Sequence, residues 1–252
     1  MFELSRKNSI ALAVVTVFLL SSGSDEEHGQ HSALTQFPQK VAWAWERPED
    51  LTWLPNDAAV AYVASAITLE GDQIKVRPRA FPLKVRSDTL VIPVVHVDAS
   101  LRLPPSLSVR QRDLIAEQLL KFADQTQSPM VQLDFEARRS QRAFLQDVVA
   151  TVRRSLPQRQ ALSMTALASW CAGDFWLADL QADEIVPMAF RMAKDEESIR
   201  NLLASKKAFP KRRCQNAIGF ATDEPKVDVS AARRYFFSPV AWTEQSWKTF
   251  TQ

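Results

Sequence analysis

The residues best suited to do chemistry lie close together in the stretch VQLDFEA. Asp134 and Glu136 stand two apart, and residues i and i+2 of a strand point to the same face. Gln132, Asp134 and Glu136 therefore share one face, and Val131, Leu133 and Phe135 share the other. Three polar groups on one face of a buried strand are costly unless they line a cavity mouth or find partners. Two neighbouring carboxyls raise the pKa of one of them, so that it holds a proton near neutral pH. A protonated carboxyl is what general-acid cleavage of a glycosidic bond requires. Glu136 is then the acid and Asp134 its partner. The competing reading is a structural pair held by Arg191 or Arg138.

His96 and Asp98 form a second pair with the same i, i+2 spacing. With Glu136 they could approach a metal, but without a second histidine the set is poor for zinc, so a hydrogen-bonded histidine and no metal are expected. The chain has 7 Trp against 2 Tyr, and indole faces stack well on sugar rings. Packing under loops accounts equally well for any one of these tryptophans.

Composition removes other classes. Lys+Arg is 31 and Asp+Glu 29, a net charge of +2, too balanced for a chain that holds nucleic acid by neutralising phosphates. With 5 Gly and no GxGxxG or GxxxxGK[ST], the common nucleotide fingerprints are missing and no cofactor is implied. A content of 3 His and 2 Cys excludes a Cys/His zinc framework.

The elements that must position these residues alternate along the chain. Val41–Glu46, Val60–Leu69, Leu90–Asp98, Met130–Ala137, Leu162–Ala168, Glu184–Met192, Ala217–Thr222 and Tyr235–Ser238 read as strands, with Gln73–Arg77 as a hairpin partner of the second. Ser108 with Gln111 forms a capping-box pattern ahead of a helix over Val109–Gln125. Ser140 and Asp195 can cap two further helices. Near-continuous apolar strands alternating with helices predict a (β/α)8 TIM barrel over residues 40–252, compact, with some helices short or missing, above all between Asp223 and Arg234. An open doubly wound sheet is the competing architecture.

Active sites of such barrels lie at the C-terminal strand ends. These ends bring together Trp43, Trp45 and Glu46; His96 and Asp98; Asp134 and Glu136; Trp170; Met188, Phe190 and Arg191; Asp223 and Glu224; and Trp242. Apart from the pair Asp134 and Glu136, and His96, they form the candidate substrate-binding set. Acidic residues recur at these ends and not at the opposite rim, although helix N-termini also attract Asp and Glu as caps.

The N-terminus reads as an export signal. Arg6 and Lys7 precede the apolar run Ile10–Leu20, which is roughly half of the ~20 residues that a spanning helix needs. Ser22 and Ser24 suit cleavage after residue 24, leaving a polar linker over 25–39 and no membrane span. The alternative is an uncleaved anchor with the body facing out of the cytoplasm. A secreted or periplasmic location permits a disulfide between Cys171 and Cys214; the alternative is two separate buried thiols.

Asp134–x–Glu136 at the end of the fourth barrel strand resembles the chitinase-type family 18 glycoside hydrolases. The resemblance implies Glu136 as general acid and Asp134 as holder of a substrate acetamido group. Gln132 stands where that family carries a further acid, and Met188–Ala189–Phe190 is similar to its Met–x–Tyr without the hydroxyl. The stretches VQLDFEA, ALSMTALASWC, DEIVPMAFRM, AIGFATDEP and YFFSPVAW together resemble the bacterial domain of unknown function 3142 family. Its members look like secreted or lipid-anchored barrels related to glycoside hydrolases; no lipobox Cys follows the apolar run here. The expectation is a secreted glycoside hydrolase-like barrel acting on or binding a glycan. The alternative is a noncatalytic glycan-binding or cell-envelope interaction protein.

Overall fold

The computed structural model describes residues 31–173 and 176–251, so the expected signal segment lies outside the described residues. Eight parallel strands run in chain order: β1 (Lys40–Ala44), β2 (Ala58–Glu70), β3 (Val91–Ala99), β4 (Met130–Phe135), β5 (Ala161–Leu167), β6 (Glu184–Met188), β7 (Ala217–Ala221) and β8 (Arg233–Phe237). Each pairs with the next, and β1 pairs with both β8 and β2, Val41 lying opposite Tyr235 and Ala59. The sheet is therefore closed, and the fold is the expected (β/α)8 barrel. The hairpin partner Gln73–Pro78 runs antiparallel to β2 and extends the sheet beyond the barrel.

Period-two alternation sorts the side chains into two layers. Val41 and Trp43, Ala59, Ala61 and Val63, Ile92 and Val94, Met130, Val186, Tyr235 and Phe237 fill the barrel. Val131, Leu133 and Phe135 point outward and join α1 (Val109–Thr126) and α2 (Arg142–Ser155) in the outer layer. A register shift between Val63 and Ser65 on β2 turns Ile67 and Leu69 to that outer layer. Gly219 on β7 is required by close approach: a Cβ there would stand 2.9 Å from the Phe237 ring.

Ser108 and Gln111 form the capping box that starts α1, as expected. Two other caps differ. Ser140 falls in a single 3-10 turn, Arg139–Gln141, and α2 begins after it. Asp195 occupies the N-cap of α4 (Glu196–Lys206), but its side chain makes no capping bond. The crossing from β7 to β8 holds no helix, and a short α3 (Ala168–Gly173) follows β5 directly. The C-terminal α5 (Glu244–Thr251) sets Trp247 edge-on to Phe236 and Trp242.

Cys171 in α3 and Cys214 ahead of β7 are joined, with Cα atoms 5.9 Å apart and a sequence separation of 43. At the N-terminal end of the barrel Ser32–Gln36 forms a 3-10 helix whose Ala33 and Leu34 are buried, so that part of the segment read as linker packs against the barrel. Arg233 fastens it: the guanidinium bonds the carbonyls of Leu34 and Pro38 and pairs with buried Glu184. Glu184 also accepts from Ser163 Oγ at 2.9 Å and Tyr235 OH at 2.6 Å. A buried charge with that many donors is tolerable; losing its cation, Arg233, would cost about 3–5 kcal/mol.

Candidate active site

The opposite end of the barrel is the mouth. Asp134, the last inward residue of β4, is buried there. Its Oδ1 accepts from Thr165 Oγ1 of β5 at 2.6 Å, and its Oδ2 lies 2.7 Å from His96 Nδ1 of β3. His96 Nε2 lies 3.2 Å from Asp98 Oδ2. Both ring nitrogens thus face carboxylate oxygens, and both must carry hydrogen, which makes the ring an imidazolium. Burial opposes that charge, but the hydrogen bonds and charges of Asp134 and Asp98 outweigh it and raise the His96 pKa to about 10. The same hydrogen bond holds Asp98 below the usual carboxylate range.

Glu136 lies just past β4. Ala137 N donates to Phe135 O at 2.7 Å, a three-residue turn centred on Glu136 that ends the strand earlier than predicted. Its side chain is exposed at the rim and makes no hydrogen bond or ion pair with any described residue. Partial desolvation raises its pKa, the Asp134 and Asp98 carboxylates raise it further, and His96 works against them. Neither Arg191 nor Arg138 forms an ion pair with Asp134 or Glu136, contrary to the structural reading; Asp134 pairs with His96, and Arg191 with Asp223 and Glu224.

Other expected site residues separate into two groups. Trp45 is half-buried at the mouth, its ring edge-on to His96 at 6.2 Å and to Trp43 at 5.5 Å. Trp43 is fully buried below it, stacked on Phe237 at 4.5 Å, so it supports Trp45 rather than facing the mouth. Phe190 is half-buried against Phe237 at 4.8 Å, and Met188 is buried at the end of β6. The strand ends earlier than predicted: Ala189 N still donates to Gly219 O of β7 at 2.9 Å, but beyond it Arg191 and Ala193 adopt left-handed backbone angles, φ 48° and 50°.

The second group is engaged or distant. Glu46 is paired with Arg77 of the hairpin. Arg191 binds Asp223 at 2.8 Å and, through its backbone N–H, Glu224 at 3.0 Å, while Arg200 of α4 takes the other Glu224 oxygen at 2.9 Å. These acids serve a rim ion-pair network. Trp170 and Trp242 are buried in the outer layer, Trp170 against Trp176 and Trp242 with its indole N–H on Trp43 O at 2.9 Å. Neither reaches the mouth, so the expectation of sugar stacking by these two is withdrawn. His96 and Thr165 stood outside the expected site set; the signal for Thr165 is its inward parity, one strand away from Asp134.

No family model and no curated protein sequence matches the chain, which leaves the resemblance to the domain of unknown function 3142 family resting on the five stretches quoted above. Among solved structures the chain is similar to the spore cortex-lytic enzyme SleL of Bacillus cereus, at 13% identity and TM-score 0.48, over 75% of this chain and 54% of that one. It thus spans about half the length of that enzyme. It is also similar to endo-beta-N-acetylglucosaminidase from Cordyceps militaris in apo form, at 9% identity and TM-score 0.43, over 83% of this chain and 85% of that one. A mutant of the latter in complex with fucosyl-N-acetylglucosamine-Asn gives 8% identity and TM-score 0.42, over 86% and 89%.

Proposed function

We propose that the chain is an exported glycoside hydrolase-like barrel that takes a glycan at its mouth, with Glu136 as general acid. One observation carries this: Glu136 is the carboxyl of the expected mouth set that has no partner among the described residues, while the others are bonded to His96, Thr165 or arginines. An unpaired carboxyl with a raised pKa can hold a proton, give it to a glycosidic oxygen and recover it from water. Asp134, fixed by His96 and Thr165, places a negative charge beside the reacting ring, where positive charge develops in the transition state. Trp45 offers the flat apolar surface on which a sugar ring would stack.

The disulfide fits an oxidising compartment, and no helix among the described residues is long and apolar enough to cross a membrane. Domain limits follow the same proposal: a signal over 1–24, a short linker, and the barrel body.

A specific feature favours a second reading, glycan binding without turnover. Phe190, where the chitinase-type pattern has a tyrosine, turns its ring onto Phe237 and offers no hydroxyl, and Gln132 donates its Nε2 to Ser163 Oγ inside the barrel at 2.8 Å. Hydrolysis of a panel of β- and α-linked oligosaccharides by the wild-type chain separates the two readings. Turnover supports the first; retention of a glycan without turnover supports the second.

A further inference from the structure

On the same rim as the mouth, the loop from β3 to α1 presents two leucines around an arginine. Leu101 is 78% exposed and Leu103 56%, and Val109 at the start of α1 is 63% exposed. Single exposed apolar residues are ordinary, but three within one short segment form a patch. The segment is stiff. Pro104 and Pro105 fix its backbone, Gly71 N donates to Leu103 O at 3.2 Å, and Ser106 N donates to Gly71 O at 2.9 Å. Gln111 Nε2 bonds the same Gly71 carbonyl at 2.8 Å. Leu101 and Arg102 are thus exposed on a tethered loop.

Among the described residues, unpaired cations outnumber unpaired acids around the patch. Residues 99–112 contain no Asp or Glu, and Arg102 and Arg110 have no ion pair with any described residue. The neighbouring hairpin tip adds one unpaired acid, Asp72, beside the mutually paired Glu70 and Lys75, so two unpaired arginines stand against one unpaired carboxylate among the described residues.

We infer that this rim docks on an anionic lipid bilayer surface, Leu101 and Leu103 entering the headgroup boundary and Arg102 and Arg110 meeting lipid phosphates. Aliphatic tips flanked by cations suit that boundary. Leucine has no flat face for a sugar ring, and a second copy of the chain would bring the same uncompensated cations together. The inference stands independently of the role of Glu136.

The test is hydrogen exchange of the backbone over residues 99–110 in the full chain, which reads this loop separately from any lipid affinity of the N-terminal segment. Phosphatidylglycerol vesicles should slow exchange there by about 10-fold or more, and phosphatidylcholine vesicles should not. Leu101→Ser combined with Leu103→Ser should abolish the protection, and Arg102→Gln should weaken it, with melting temperatures unchanged because these side chains are exposed. Unchanged exchange in phosphatidylglycerol, or equal protection by both lipids, would overturn the inference. Protection that grows with protein concentration without vesicles would overturn it in favour of self-association.

Discussion

Asp134, His96 and Asp98 form a carboxylate–imidazolium–carboxylate row whose geometry dictates its charge. Both nitrogens of His96 face acids, so the ring stays protonated far above its ordinary pKa of 6.5. The consequence for stability has a defined sign. Below about pH 6.5 the ring is protonated folded or unfolded, and its stabilisation is complete; it fades as pH rises towards 10. His96→Asn should cost about 3–5 kcal/mol near pH 6, because it leaves buried Asp134 short of its cation. The gap in melting temperature between wild type and variant should narrow steadily between pH 7 and 10. A gap independent of pH would contradict the protonated ring. For Glu136 the sign is also that of a group favoured protonated: folding raises its pKa, so its ionisation removes stability as pH rises past the ordinary value of 4.5.

At the scale of elements, the disulfide ties the crossing from β5 to β6, whose α3 has only six residues, to the end of the crossing from β6 to β7, past α4. In the chain-entropy model, closing a loop of this length contributes on the order of 3–4 kcal/mol. Cys171→Ser, Cys214→Ser and the double variant should lose the same stability, since each breaks one link. A double variant that loses the sum of the two singles, in denaturant titration of oxidised protein, would contradict a shared bond. The elements also show what sequence could and could not reveal. Period-two patterning placed Asp134 inside and Leu133 and Phe135 outside, because a strand's faces follow from its geometry alone. The roles of Trp170 and Trp242 were not legible, because the residue after a strand end faces the mouth only if the chain continues upward. At Trp170 it turns at once into α3, and at Trp242 it runs outward to α5. The ion pairs of Asp223 and Glu224 were not legible for another reason: Arg200 reaches Glu224 from α4 and Arg191 reaches Asp223 from beyond β6, contacts that only the fold creates.

Across the whole molecule, closure of the barrel separates two polar ends. One is a satisfied charge cluster, Arg233 with Glu184, that seals the N-terminal end with residues 32–37. The other is the mouth, where a carboxyl remains without a partner among the described residues. The barrel was legible because eight apolar stretches alternate with polar or helical ones. The closed mouth network was not, because it joins β3, β4 and β5 over long sequence distances. Export belongs to this scale as well. The chain recovered from outside the cytoplasm should begin near Asp25 by mass analysis; a full-length chain retained inside would contradict cleavage after residue 24.

The proton of Glu136 is the centre of the account, and Glu136→Gln tests it most directly because it keeps shape while removing the transferable proton. With an oligosaccharide that the wild-type chain cleaves, the variant should lose roughly 100-fold or more in kcat, the lower range for general-acid catalysis, while still binding the substrate. Its melting temperature should hold or rise slightly at neutral pH, since no partner is lost and a partly desolvated charge is removed. Full activity in Glu136→Gln would contradict the assignment.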